Sequence, residues 1–426
     1  MNEPPSPSAA ASRSNRARIV VAGLGLLTPL GHATWETFTA LLAGRTLADR
    51  ADRLPANVDA TTLVRALGAV RVAQHGSSDP SIDLAERAAR EAIFEAGGRL
   101  DTATDLPTFL GTSKGAVGAM TEAFEAYHQS TTARPTPDAH HRLAQLAPAV
   151  ALGPHDHLSQ QLQQRLNVPV HSHAVAACAS SLTALHAARA FLQRSAPDHA
   201  LVVTADAALL PGFIHSYRRL GVLAPLTAVD YRQRPLDARR RGFMLSEAGA
   251  AVLLKRLPTG EPPQIGQIEL LDTAVAAETH DLIRPSPTMP ALRHVAGRLF
   301  ADRQIDMLHP HAPGTLEHDP TELAVYADAL DAVAAAGGRR PDLYACKGAI
   351  GHSLGAAGLT AFVLACMSLR VGRRPAMPWL TEPMGDTHGF ILPTAHESMP
   401  CSRTGTHAIL AAGFAGHVAG AVVQRH

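Results

Sequence analysis

Charge of either sign is scarce in this chain of 426 residues, and so are aromatic rings. Lys and Arg number 38 against 37 Asp and Glu, and charged residues make up only 18% of the whole. A net charge of +1 gives no electrostatic reason to hold nucleic acid or an anionic membrane. Aromatics at 4% leave little with which to stack bases. The four cysteines, at 178, 346, 366 and 401, show no C-x-x-C spacing and no disulfide framework, so a reducing cytoplasm is the expected location. Apolar stretches are broken short of the roughly 20 residues that span a bilayer. The opening MNEPPSPSAAASRSNRAR lacks the apolar core of a secretion signal, and its Pro, Ser and Ala predict a disordered tail over 1–16.

Hydrophobic residues, at 46%, suffice for a substantial core in one large domain or two ordinary ones. RIVVAGLGLLTPLG reads as a buried strand over 19–22 running into a glycine loop. Gly23 and Gly25 could open a dinucleotide fingerprint, but Thr28 stands where its third glycine belongs. Helical spacing over 82–97 and 180–193, with apolar runs over 200–206 and 250–256, predicts a layered α/β architecture. The Pro- and Gly-rich LPTGEPPQIGQ, 257–267, is the best internal linker and divides the chain into halves at 17–265 and 266–426.

In the first half, VAACASSLTALHAA places Cys178 among small residues where a strand gives way to a helix. Backbone N–H groups at a helix start favour a thiolate, which makes Cys178 a candidate nucleophile rather than a packing residue. LYACKGAIGHSLGAAGLTAFVLACMSL is its counterpart in the second half, with His352 at the glycine turn and Lys347 five residues earlier. The small residues of both helices suit close side-by-side packing in the centre of the molecule. A third cluster, LHPHAPGTLEHDPTE, sets His311 in a loop after the expected strand IDMLHP.

In residue type and order, these segments resemble the β-ketoacyl-acyl-carrier-protein synthases, the type I/II ketosynthase branch of the thiolase superfamily. ACASSLTALHAA resembles the nucleophile motif, and KGAIGHSLGAAG the lysine–histidine motif. His311, Gly314, Thr315, Asp319, Pro320 and Glu322 fall on H-x-x-G-T-x-x-x-D-P-x-E. RPLDARRRGFMLSEAGAAVLL, which contains Glu247, resembles the segment that closes the first half, and AAGFAGHVAGAVV the closing G-F-G-G segment.

The resemblance implies an α/β fold of thiolase type: five layers, αβαβα, built from two pseudo-symmetric halves. It implies that Cys178 takes an acyl group from a phosphopantetheine thioester, with the amides of Cys178 and Phe414 as oxyanion hole. His311 and His352 would polarise a malonyl thioester as carbon dioxide leaves, and the carbanion would attack the acyl-cysteine. Lys347 would tune the site and Thr315 would bind the pantetheine arm beside Pro313 and Phe414. Asp319, Glu322 and Glu247 would form the supporting network. No metal or redox cofactor is expected. The implied partners are an acyl carrier protein and a second subunit, in a homodimer or in a heterodimer with a related chain.

The chain departs from the family pattern at several places. Pro313 replaces one pantetheine-binding threonine, and proline is expected to restrict Ala312 to extended conformations. Ala361 stands where discrete synthases commonly carry the glutamate that partners the lysine. Ala415 replaces a glycine, and His417 and Val418 stand where Thr and Asn are usual. These changes point to a specialised polyketide, polyene or fatty-acid-like pathway. A non-elongating acyltransferase or a cyclising condensing enzyme on the same fold is the alternative. A chain-length partner subunit would typically lack the nucleophile. Cys401 does not fit the second cysteine of a degradative thiolase, a papain-like protease lacks support in the motifs, and no donor set completes a metal site around 171–173 or 309–318.

Overall fold

The computed structural model describes residues 17–53, 58–70, 79–98, 105–131, 137–194, 197–225, 232–335, 338–392, 394 and 397–426; the tail expected over 1–16 lies outside them. The first-half strands are β1 (Ile19–Leu27), β2 (Thr108–Gly111), β3 (Val170–Ala174), β4 (His199–Asp206) and β5 (Ala248–Arg256). The second half supplies β6 (Ile268–Ala277), β7 (Met307–His309), β8 (Asp342–Leu343), β9 (Arg373–Arg374), β10 (Met399–Pro400), β11 (Thr406–Ala412) and β12 (His417–Arg425). Strands β9 and β10 form a separate ribbon, and the other ten follow the order β3-β2-β4-β5-β1-β6-β12-β11-β7-β8.

That order is one five-strand pattern used twice. Numbered within each half, the strands lie 3-2-4-5-1, and the two sets run outward from the middle in opposite directions. Parallel pairs β2–β3 and β2–β4 are matched by β7–β8 and β7–β11. Antiparallel pairs β4–β5 and β5–β1 are matched by β11–β12 and β12–β6. Between the halves the ladder shrinks to a single pair, Val20 with Glu269. This is the pseudo-symmetry that the motifs led us to expect.

Among the helices of the described residues are α1 (Pro80–Glu95), α2 (Ser180–Arg194), α3 (Pro211–Arg219), α4 (Pro290–Phe300), α5 (His318–Ala335) and α6 (Ala357–Val371). Helix α1 covers β1, β4 and β5 on one outside face; α4 covers β6 and β12 on the other, with α5 against it. Helices α2 and α6 lie between the two sets of strands. The run 354–371 is long and apolar enough by itself to cross a membrane, an exception to the expectation that every apolar stretch is too short. Here it is almost wholly buried and forms the centre of the fold.

The predicted elements fall close to the observed ones, and one correction is informative. The expected glycine loop after residue 22 does not exist, because β1 continues through Gly23 and Gly25 to Leu27. A Cβ at Gly23 would lie 2.0 Å from the Ala92 carbonyl oxygen, and one at Gly25 would lie 1.9 Å from that of Ala88. These glycines let α1 lie directly on the strand. They are packing residues and serve no phosphate.

Candidate active site

Cys178 is set by a tight turn. After β3 the chain makes a 3-10 turn, Ala177–Ala179, before α2 begins at Ser180. Ser180 Oγ accepts from the Ala176 amide (2.8 Å) and donates to the Ala177 carbonyl (2.6 Å). Ala177 is held at φ +47°, in the left-handed region that costs a non-glycine residue about 1–2 kcal/mol. The second half repeats the device: Leu354 has φ +50° in the turn Leu354–Ala356, directly before α6. The counterpart of Cys178 is therefore Gly355, and His352 stands three residues ahead of it, which corrects the pairing of Cys178 with His352. The two helices are tied across the seam by Leu359 N donating to Ser181 Oγ at 3.0 Å.

His311 follows β7 in a loop fastened by two fully buried carboxylates on α5. Glu322 accepts from the amides of His311 (2.6 Å) and Ala312 (2.7 Å). Asp319 accepts from the amides of Gly314 and Leu236, both at 2.9 Å. Two adjacent amides aimed at one carboxylate bend the backbone sharply, and Ala312 sits at φ +32°. The extended conformation expected for it ahead of Pro313 is therefore not found. Lys347 donates to the His311 carbonyl oxygen. His352 is held by its amide on the Met244 carbonyl (2.8 Å) and by the Ser246 amide on its own carbonyl (3.1 Å). The Phe243 ring packs edge-on against its imidazole, with centroids 4.9 Å apart.

These supports bring Cys178, His311 and His352 together. All three are buried, one donor atom of each lies within 4.8 Å of the other two, and the two imidazoles cross at 76° with centroids 5.3 Å apart. Burial pushes the Cys178 thiol up to about 12 despite the pull of Lys347. The helix-start placement does not make a resting thiolate here, because burial outweighs the pull of Lys347 and Lys114. Burial, reinforced by Lys347, holds both imidazoles well below the usual histidine range. The resting site is a neutral thiol beside two neutral imidazoles. Three donors this close are also raw material for a metal site, but the buried Lys347 ammonium beside them opposes a divalent cation.

The trio opens into a cleft of about 350 Å³ whose wall includes Pro313, Thr315, Phe414 and Ala415. Thr315 Oγ1 accepts the His318 amide at 3.3 Å. Gly413 lies so close to the nucleophile that a Cβ there would be 2.8 Å from the Cys178 amide nitrogen, which puts the Phe414 segment beside it. Ala415 has φ +58°, the conformation that makes glycine the natural residue at that place.

One expected residue serves at a distance. Glu247 accepts the Val70 amide (2.9 Å) outside the cleft, and burial pushes its carboxyl up to about 7. Ala361 is a buried alanine of α6. Sequence reading missed Asp206, a buried carboxylate that takes Thr112 Oγ1 (2.9 Å) and the amides of Ser113 (3.1 Å) and Lys114 (2.9 Å). An acid ending the apolar run ALVVTAD was the available signal. Phe243 and His318 were also missed, although each lies inside a quoted motif.

A doubled five-strand pattern, with one cysteine and two histidines gathered at its seam, defines a thiolase-fold ketosynthase site. The chain belongs to the β-ketoacyl synthase family: the model of its N-terminal domain matches residues 16–259 and that of its C-terminal domain 270–379. It is similar to a putative polyketide β-ketoacyl synthase 1 of Streptomyces halstedii, 26% identical over 373 residues, 82% of this chain and 85% of that one. It is also similar to a highly reducing polyketide synthase of Penicillium expansum, 30% identical over 203 residues. That match takes in 45% of this chain, which spans only 8% of the fungal protein's length. Among solved structures, the ishigamide ketosynthase/chain length factor has a TM-score of 0.76 at 20% identity, covering 96% of this chain and 100% of its own. A type II polyketide synthase acyl-carrier protein in complex with its ketosynthase gives 0.76 at 17%, with the same coverage.

Proposed function

We propose that this chain carries out the decarboxylative Claisen condensation of an acyl group on Cys178 with malonyl-acyl-carrier protein, giving a β-ketoacyl thioester in a specialised polyketide- or fatty-acid-like pathway. The observation that carries this reading is the gathering of Cys178, His311 and His352 within 4.8 Å at the end of a cleft. A neutral thiol next to a neutral imidazole can attack a thioester as its proton passes to nitrogen, so no resting thiolate is required. The Cys178 and Phe414 amides, with Gly413 packed against the Cys178 nitrogen, would stabilise the thioester oxyanion. Two neutral imidazoles are the form needed to donate hydrogen bonds to a malonyl carbonyl as it becomes an enolate. None of these steps calls for a metal or a redox cofactor.

The cleft is also the right kind of entrance for a phosphopantetheine arm. Arg241 and Arg284 are exposed on its wall and would pair with the phosphate of the arm, while Thr315 would hydrogen-bond the chain behind it. A second subunit, identical or related, would add at β3, the end strand of the ten, with Val175 half exposed beside it. Lys347 makes no ion pair among the described residues, and this favours the alternative of a non-elongating acyltransferase or cyclising enzyme on the same trio. Release of labelled carbon dioxide from malonyl-carrier protein, coupled to loss of the acyl-Cys178 adduct, tests the reading. A chain that loads acyl groups but never releases carbon dioxide is the alternative enzyme.

A further inference from the structure

The condensation proposed above consumes a proton, and a carrier arm in the cleft would fill the opening through which the trio meets solvent. The carbon–carbon bond to the malonyl carboxylate breaks, and its electron pair becomes the enolate. The enolate carbon then bonds to the acyl carbon, and the bond from that carbon to Cys178 Sγ breaks. Sulfur keeps the pair. The malonyl group brings one negative charge, carbon dioxide leaves neutral, and Sγ must take one proton from solvent to regain its resting thiol. Acyl loading has no such demand, because the proton lost by Cys178 leaves on the thiol of the carrier.

We propose that His318 relays this proton from the cleft to His311, and thence to Cys178; the proposal rests on the condensation reading. His318 is the first residue of α5 and lines the cleft, with 12% of its side chain exposed. Its ring meets that of His311 at 66°, centroids 5.1 Å apart. Among the buried ring nitrogens without a hydrogen-bond partner in the described residues are His318 Nε2, His311 Nδ1 and His352 Nδ1. They belong to adjoining rings, and a proton can enter an imidazole at one nitrogen and leave from the other. No position of the H-x-x-G-T-x-x-x-D-P-x-E pattern accounts for His318.

The charged groups around the ring suit passage rather than storage. Glu322 Oε2 lies 3.5 Å from His318 Nε2. Asp319 is on the same helical turn and fully buried. On the inner side Lys347, bound to the His311 carbonyl, disfavours a proton remaining on His311 or His352. Arg240, which holds the Thr315 and Leu316 carbonyls, is the nearby cation on the outer side.

The test uses the full chain, acyl- and malonyl-carrier protein, and His318→Gln. The acyl adduct on Cys178 should still form, which reports a folded site. Steady-state carbon dioxide release, which needs the thiol restored at every turnover, should fall roughly 10²-fold, drop more steeply than wild type as pH rises, and recover in part with added free imidazole. If His318→Gln fails to load, His318→Asn takes its place in the same assays. Condensation at the wild-type rate and pH profile overturns the relay, and so does a loss that neither changes the profile nor responds to imidazole. If the wild type itself loads acyl groups without releasing carbon dioxide, the condensation reading falls first, and the relay with it.

Discussion

Lys347 gives its ammonium hydrogen to the backbone carbonyl of His311, thirty-six residues away along the chain. The lysine sits on the short helix just ahead of His352, so one side chain couples the two loops that carry the two imidazoles. No carboxylate neutralises it among the described residues, and the family's usual partner position is Ala361. Its charge is therefore felt by the trio: it pulls the Cys178 thiol down and both histidines down, and burial then sets the balance.

Cys178→Ala should abolish the acyl adduct. Cys346 and Cys366 are buried in the core and Cys401 lies outside the cleft, so no other thiol can substitute. Intact-mass analysis after incubation with acyl-carrier protein reads the result directly. A full adduct on the variant would mean that another residue is the nucleophile.

His311→Ala and His352→Ala should leave Cys178 able to load, in part, and block condensation. Losing one donor to a developing oxyanion typically costs ~10²–10³-fold in rate. Single-turnover carbon dioxide release separates this from a binding defect. A variant that condenses near the wild-type rate removes that histidine from the chemistry.

Thr315→Val should weaken use of the malonyl donor by the worth of one lost hydrogen bond, about 1–3 kcal/mol if the arm is buried there. Pro313→Thr should be tolerated, since the bend at Ala312 comes from Glu322 and not from the proline ring. Steady-state kinetics with malonyl-carrier protein on both variants decides the point; the opposite ranking would give Pro313 a role of its own.

Glu247 predicts a pH dependence of stability. Its folded carboxyl is raised from 4.5 to about 7 by burial. Folding therefore favours the protonated form. The associated stability is fully present below the unfolded value of 4.5 and is lost as pH climbs through about 7. At about 1.4 kcal/mol per unit, the loss amounts to roughly 3 kcal/mol. Glu247→Gln keeps an acceptor for the Val70 amide and cannot ionise, so urea unfolding curves should diverge from wild type as pH rises through this window. Curves that stay parallel would show that Glu247 ionises no differently in the folded chain.

Much of this was legible in the residues. Small side chains around Cys178, the loop histidine His311 and the turn histidine His352 each announced themselves by local composition, and their order identified the family. The backbone at Ala312 was not legible, because a local rule about the residue before proline was overruled by Glu322, ten residues downstream. Likewise the helix-start cysteine carried a local argument for a thiolate, and only the three-dimensional burial of the turn reversed it. Gly23 and Gly25 looked like a loop because glycine usually marks one. Their reason lies in the carbonyl groups of α1, sixty-odd residues on. His318 was hidden in plain view, since one histidine among 23 gives no signal until its neighbours are known.

The repeated turn has a consequence for what this double fold can hold. At Gly355, the twin of Cys178, a Cβ would lie 2.6 Å from the Ser113 amide nitrogen, 2.7 Å from an Asp206 oxygen and 3.1 Å from the Ala177 carbonyl oxygen. That space is taken first by the Ser113 amide and the Asp206 carboxylate, with the Ala177 carbonyl of the nucleophile's turn next to them. The second seat is thus closed to any side chain by groups that stand beside the first. Duplication of the fold therefore does not duplicate the thiol: a cysteine at position 355 would have to push aside the Ser113 backbone and the Asp206 carboxylate before it could be presented at all.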